Sequence, residues 1–416
     1  MLLAQLFRAV LKRGELTVID ANGRMRRYGD AALGPQVTIR LHDRALHTRL
    51  PLNPRLVVGE AYMDGTLTVE DGTIYDFLDL IGLNLGSGRI NAWDKWFVRY
   101  ETLLRTFQQA NPLRTARTHV AHHYDLSDEL YDLFLDDDRQ YSCAYFPNRG
   151  MTLEEGQEAK KRHIAAKLRL EPGQKVLDIG SGWGGFGLYL AQTENLDFTG
   201  VTLSTEQHKV SQQRAIEAGL ADQVRFHLRD YREVDGTYDR IVSVGMFEHV
   251  GIPHYAEFFE KIADLLRDDG VALLHTIADR GVPVACNPWI RKYIFPGGYC
   301  PSLSVVLPFI ERAGLWVTDI EILRLHYAET LRHWRTRFMA NQHRVRALYD
   351  ERFCRMWEFY LASCEMAFRR MGLMVAQIQL TKSVDAAPLT RDYMVEWEQR
   401  HAPPEKAQPR RLRSTG

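Results

Sequence analysis

The run Val176-Leu177-Asp178-Ile179-Gly180-Ser181-Gly182-Trp183-Gly184-Gly185 constrains this chain more than any other feature, because an apolar strand pattern passes through an acid and four glycines into a helix. Glu171-Pro172-Gly173-Gln174 reads as a turn, Lys175 to Ile179 as a strand and Phe186 to Ala191 as a helix. The glycines therefore fall in a first βα loop. A side chain there would block the approach of backbone N–H groups to a ligand, and a tight turn demands positive φ. Asp178 precedes the first glycine by two positions, giving DxGxGxG rather than the dinucleotide GxGxxG or the phosphate-loop GxxxxGK[ST]. An acid at that point repels a pyrophosphate and suits an amino-acid ammonium group.

This run resembles motif I of class I S-adenosylmethionine methyltransferases, whose cofactor carries an ammonium group, a sulfonium and no phosphate. Around it, strand patterns near 175–179, 197–203, 224–228, 239–244 and 270–277 alternate with helices. That alternation predicts an α/β, Rossmann-like domain with a mostly parallel, doubly wound sheet. Ligands in such sheets sit at the carboxyl ends of the strands, where this sequence places Gly180, Thr202-Leu203-Ser204, Asp230-Tyr231, Glu248-His249 and His275.

A chain of 416 residues is long for one domain. Residues 1–95 read as a smaller N-terminal α+β domain: an amphipathic helix within Met1 to Arg13, strands at Leu16 to Ile19 and Gln36 to Leu41, and a helix at Ile74 to Ile81. A hinge is expected over Gly82 to Asn91, a helical linker over 96–114, the catalytic domain over 115–398, and a disordered basic tail over 399–416. The net charge of zero gives no argument for a nucleic-acid partner. Five cysteines without a CxxC pair suit reduced thiols in a cytoplasmic protein, and no metal is implied. No stretch approaches the roughly 18 uninterrupted apolar residues of a membrane span, so membrane contact is expected to be peripheral.

Further segments narrow the reading: His122-His123-Tyr124-Asp125-Leu126-Ser127, Tyr141-Ser142-Cys143-Ala144-Tyr145-Phe146, Gly245-Met246-Phe247-Glu248-His249-Val250, Tyr293 to Gly298, and His326 to Leu331. In this order they resemble the cyclopropane-fatty-acid synthase family, which includes the mycolic-acid cyclopropane synthases. The separate N-terminal domain resembles the phospholipid-acting members rather than the shorter mycolic-acid enzymes. The resemblance implies transfer of a methylene from S-adenosylmethionine across a cis double bond of a phospholipid acyl chain. It implies a bicarbonate ion as base, held by groups matching Cys143, Glu248, His275, the backbone at Ile277, and Tyr327. Cys364 matches a late-helix cysteine that the family carries in its active site. For the cofactor it adds Tyr141 and Ser142 at the methionine carboxylate end and Gly180, Ser181, Gly182, Trp183 and Gly184 at the loop. Thr202, Leu203, Ser204 and Gln207 follow after the second strand, and Asp230 and Tyr231 flank the adenine. A lipid-docking role for residues 1–95, unsaturated phospholipids at the inner face of the membrane as partners, and a homodimer are implied by the same resemblance.

The chemistry makes its own demands. An isolated alkene has no lone pair and no acidic proton, so only a strong electrophile engages it, and a carbocation follows. Aromatic faces stabilise a cation, by about 0.5–2 kcal/mol each. Tyr145, Phe146, Phe247, Tyr293, Phe295 and Tyr327 are candidates, with ordinary core packing as the alternative for each. Ring closure requires a base, a side chain or a bound anion, in a dry pocket. Glu248 beside an anion requires a raised carboxyl pKa. Arg332, Arg335, Arg337, Arg344 and Arg346, interleaved with Trp334, Phe338 and Leu348, read either as a basic lipid-facing surface or as a solvated face. The open alternatives are methyl or methylene branching of the same alkene, methylation of a small molecule at O or N, and a lipid-binding protein without turnover.

Overall fold

The computed structural model describes residues 2–86, 126–281, 283 and 286–403. The expected linker helix, the segment His122 to Asp125 and the basic residues Lys406 to Arg413 lie outside them.

The N-terminal part begins with a helix, Leu2–Val10, that buries Leu3 and Phe7 on one face, as i, i+4 spacing requires. Four strands follow: β1 (Gly14–Ile19), β2 (Met25–Asp30), β3 (Gln36–Leu41) and β4 (Leu67–Asp71), in the order β2-β1-β3-β4. Strands β2 and β4 escape the sequence pattern because they lie at the two edges: β2 buries only Tyr28, and its remaining charged and polar positions face water. The helix Ile74–Leu85 starts in a capping box made by Thr73 and Asp76. It runs through Gly82, so the first residues of the expected hinge are helical. A Cβ on Gly82 would lie 2.6 Å from the Met366 sulfur, so glycine there permits close packing of two helices.

The larger sheet has seven strands: β5 (Lys175–Ile179), β6 (Asp197–Thr202), β7 (Val224–Leu228), β8 (Tyr238–Val244), β9 (Leu266–Asp279), β10 (Trp316–Ile322) and β11 (Leu373–Thr381). Their order is β10-β11-β9-β8-β5-β6-β7. β5, β6, β7, β8 and β9 pair in parallel, whereas β11 runs antiparallel between β9 and β10. Alternate residues of one strand serve different cores: Leu177 and Ile179 pack with Phe258 and Ile262 on one face, Val176 with Ile164 and Phe198 on the other. Both faces are thus covered, the condition for a parallel sheet. The chain turns from β5 to β6 on one side and to β8 on the other, which opens a crevice at the carboxyl ends of β5 and β8.

The two parts share a continuous apolar core. The helix Pro54–Met63 meets the helices Pro288–Tyr293 and Glu351–Met366, with Gly59 set against the Trp289 indole. Polar contacts cross the same boundary. Tyr62 donates to Glu358 at 2.8 Å, Lys292 and Tyr293 both donate to Glu60 at 2.7 and 3.0 Å, and Arg370 forks onto Asp79 at 2.8 and 2.9 Å.

Candidate active site

The crevice at the switch point is lined by twelve of the fourteen residues expected to hold the cofactor: Tyr141, Ser142, Asp178, Gly180, Ser181, Gly182, Trp183, Thr202, Leu203, Gln207, Asp230 and Tyr231. The other two serve the frame. Gly184 has φ +82°, and a Cβ on it would meet Phe226 at 2.7 Å and Ser211 at 2.8 Å, so it permits the following helix to pack on the sheet. Ser204 caps the helix Thr205–Glu217 by accepting from the Gln207 N–H at 3.2 Å. Gly182, at φ +55°, has open space where its Cβ would be.

Asp178 is buried at 3 % exposure and its Oδ1 has no hydrogen-bond partner. Burial raises its carboxyl to about 7, against the opposing pull of the Lys160 ammonium. The Ser181 hydroxyl is likewise buried without a partner. Orphaned acceptors beside an open glycine loop are the arrangement that an ammonium-bearing ligand would complete. Asp230 is already engaged: Arg232 forks onto its two oxygens, both at 2.8 Å.

Lys160, absent from the sequence reading, lines the crevice while only 1 % exposed. It donates to Ser142 Oγ at 2.9 Å and to Gln140 Oε1. Burial lowers it to about 8, and Asp136, itself raised to about 6 by burial, offsets part of that. With Ser142 it presents a donor pair suited to a carboxylate. The signal was available: on the helix Leu153–Leu168, Gln157, Lys160, His163 and Lys167 recur at helical spacing and all are buried. Polar residues there occupy the places of a core-facing stripe.

Beyond the crevice lies the Glu248 region. Glu248 sits on a turn after β8 and its Oε1 accepts from the Ile277 N–H at 2.5 Å, so that backbone donor is occupied by a side chain. Its Oε2 is buried without a partner. Burial raises the carboxyl, partly countered by the hydrogen bond from the Ile277 N–H. His275 is in β9, one strand away from the crevice: its carbonyl accepts from the Gly245 N–H at 2.9 Å. Burial, then the charges of Lys160, Lys167 and His163, hold its imidazole well below its ordinary pKa and therefore neutral. The Cys143 thiol, pushed up by burial, donates to the Ala144 carbonyl at 3.3 Å. Cys364 is pushed up to about 12 by burial. Neither thiol is a nucleophile in that state.

The aromatic candidates divide. Tyr327 lies 4.7 Å from Phe368 and edge-on to Trp334, and Phe295 stands edge-on to Tyr360 at 5.8 Å. Tyr360 shares a hydrogen bond of 2.7 Å with Tyr141 and lies one turn before Cys364, an i, i+4 relation visible in the sequence. Phe247 is instead wholly core, stacked on Tyr255 at 4.3 Å. Tyr145 stacks on His163 at 4.0 Å, Phe146 on His333 at 5.6 Å, and Tyr293 turns its hydroxyl to Glu60. The five arginines at 332–346 are all in ion pairs, with Glu329, Glu365, Glu154, Glu129 and Glu351 in turn, and Trp334 and Phe338 are buried. Leu348 is exposed, as are the side chains of Arg344 and Arg346, so only the C-terminal part of this segment presents basic and apolar groups together to solvent. Among the described residues no helix is long and apolar enough to cross a membrane.

A seven-stranded sheet of this order, with a glycine loop at its switch point and an orphaned acid beside it, is the fold of a class I S-adenosylmethionine-dependent methyltransferase. Residues 111–378 match the family model described as mycolic acid cyclopropane synthetase, and residues 2–87 match one described as a domain of unknown function. A probable fatty acid methyltransferase of Pseudomonas putida is 36% identical over 85% of this chain and 89% of its own length. The cyclopropane-fatty-acyl-phospholipid synthase of Escherichia coli (strain K12) is 41% identical over 63% of this chain and 67% of its own. The crystal structure of mycolic acid cyclopropane synthase CmaA1 complexed with SAH and CTAB is 36% identical, with a TM-score of 0.60, over 64% of this chain and 97% of that one. This chain belongs to the mycolic acid cyclopropane synthetase family of S-adenosylmethionine-dependent enzymes.

Proposed function

We propose that the protein transfers a methylene from S-adenosylmethionine across the cis double bond of unsaturated phospholipid acyl chains, giving cyclopropane fatty acyl phospholipids. The observation that carries this reading is Glu248: a buried carboxyl with one oxygen fixed and the other open, its charge opposed by burial, as burial also opposes charge on His275. Transfer to an oxygen or nitrogen nucleophile does not require such a dry site; removal of a proton from a newly attached methyl group does.

When bound, S-adenosylmethionine supplies an electrophilic methyl group on sulfur. Asp178 would hold its ammonium group, Lys160 and Ser142 its carboxylate, and the Gly180 to Gly182 backbone its close approach. Tyr327, Tyr360 and Phe295 offer ring faces to the positive charge that develops on the acyl chain. A bicarbonate ion, as base, would meet Glu248 Oε2, the His275 imidazole and the Tyr327 hydroxyl. The Ile277 N–H would act through Glu248, whose Oε1 it holds. Burial favours the protonated form of Glu248, and in that form it would donate a hydrogen bond to such an anion and remove the like-charge conflict. Residues 1–95 would help dock the lipid, at the inner face of the membrane, and 115–398 form the catalytic domain. The similarity to a probable fatty acid methyltransferase favours branching of the same alkene as the second reading.

The test is mass spectrometry of fatty acids released from cis-unsaturated phospholipid vesicles after incubation with protein, S-adenosylmethionine and bicarbonate. A one-methylene gain that survives mild hydrogenation establishes the ring. A gain without a ring establishes branching, and no gain with any unsaturated phospholipid rejects both.

A further inference from the structure

His275 lies at the end of a buried polar chain that reaches from the protein surface to the proposed base site. In register across the sheet, His275 of β9 faces Gln377 of β11, and both are buried. The Gln377 amide nitrogen lies 3.1 Å from His275 Nδ1, and its Oε1 accepts from Lys167 Nζ at 2.7 Å. Lys167 is in turn bound to Glu321, which also takes a hydrogen bond of 2.7 Å from His163 Nε2, and His163 Nδ1 is bound to Glu398. Glu321 is drawn down to about 2, burial being outweighed by His163 and Lys167.

An ammonium group has donors only, so the group of Gln377 that faces Lys167 must be the carbonyl oxygen. The amide –NH₂ then faces His275, and a nitrogen that receives an N–H cannot carry its own proton. A neutral imidazole whose Nδ1 accepts must hold its proton on Nε2. We propose that Lys167 and Gln377 are positioning residues that fix His275 as the neutral Nε2–H tautomer, so that the imidazole meets an oxyanion of the carbonate class as a hydrogen-bond donor. His275 on this account is no base: its one available lone pair is occupied by Gln377. The donor role toward an anion rests on the proposed reaction; the tautomer does not. The arrangement also explains why β11 carries glutamine where a central strand would carry an apolar residue.

The test is ¹⁵N NMR of histidine-labelled full-length protein, with the His275 signals assigned by their loss in His275→Gln. The expected wild-type result is an unprotonated Nδ1 and a protonated Nε2 between about pH 6 and 8, the range in which an ordinary histidine titrates. Gln377→Glu replaces the donor with an acceptor and should move the proton to Nδ1 or charge the ring. Lys167→Met frees the amide to turn and should give a mixture of tautomers. A wild-type Nδ1–H, an imidazolium, or an unchanged tautomer in folded Gln377→Glu would overturn the proposal. If neither variant folds, the wild-type spectrum decides alone. Added bicarbonate should shift Nε2 alone; a fixed Nε2–H tautomer that bicarbonate does not perturb supports the proposal and rejects the anion reading of the site.

Discussion

The cofactor crevice and the Glu248 region are both buried and both built from carboxyl, hydroxyl and imidazole or ammonium groups, yet their charge states differ. In the crevice, Asp178 at about 7 and Lys160 at about 8 stand near neutrality, each drawn back toward its charged form by oppositely charged neighbours. In the deeper region burial raises Glu248 and Cys143 and lowers His275, each toward its neutral form. Burial acts on every one of these groups; what differs is that Asp178 and Lys160 each have an opposite charge within reach, whereas Glu248 has none and His275 meets only cations. A crevice of compensated charges suits a zwitterionic ligand, and a region where burial disfavours charge suits a dry reaction space.

The sharpest way to separate the two regions is Glu248→Gln. The amide keeps the acceptor for the Ile277 N–H but cannot share a proton, so lipid product formation should fall roughly 10²–10⁴-fold. S-adenosylhomocysteine affinity, measured by calorimetry, should be unchanged; an equal fall in both would merge the regions. Asp178→Asn acts on the other side. A hydrogen bond to a charged group contributes about 1.5–3 kcal/mol, so S-adenosylhomocysteine should bind roughly ten- to a hundredfold more weakly.

The pH dependence follows from the same carboxyl. Asp178 is raised to about 7 in the free protein, and an ammonium ligand requires it ionised. Affinity should therefore rise with pH up to about 7, by roughly tenfold per unit well below that point, and fall again above about 8 as Lys160 loses its charge. In Asp178→Asn the rise should vanish. The smallest effect expected is on stability alone: Gly184→Ala, with positive φ and no room for a Cβ, should cost about 1–3 kcal/mol in denaturant unfolding. Gly182→Ala, open at its Cβ, should instead weaken the ligand more than the fold.

The same contrast separates what the sequence discloses from what it hides. The crevice rests on a contiguous loop and on strand ends, and β5 and β7 fall at the residues where the apolar pattern places them. The two expected residues that do not line the crevice, Gly184 and Ser204, are of types that suit both a ligand and a helix start. The deeper region draws on β8, β9, β11 and the helices that begin at Leu153, His326 and Glu351. Contacts such as Gln377 to His275 and Tyr141 to Tyr360 join residues far apart in sequence, and no local spacing reports them. β11 itself was hidden because Gln377, Gln379 and Thr381 break its apolar pattern while being wholly buried, their polar groups satisfied by Lys167, Tyr393 and Ser383. Phe247 shows the converse: an aromatic inside a suggestive segment is core because the helix Tyr255–Leu265 packs over it.

In the proposed reaction the Glu248 region serves the removal of a proton from the transferred carbon. Its most direct test is the reaction with S-adenosylmethionine bearing a trideuterated methyl group, cis-unsaturated phospholipid vesicles and bicarbonate, read by mass spectrometry of the released fatty acids. Cyclopropanation at this site gives a product that has lost one deuterium from the transferred group and carries no new double bond. A product that retains all three deuteriums would contradict it.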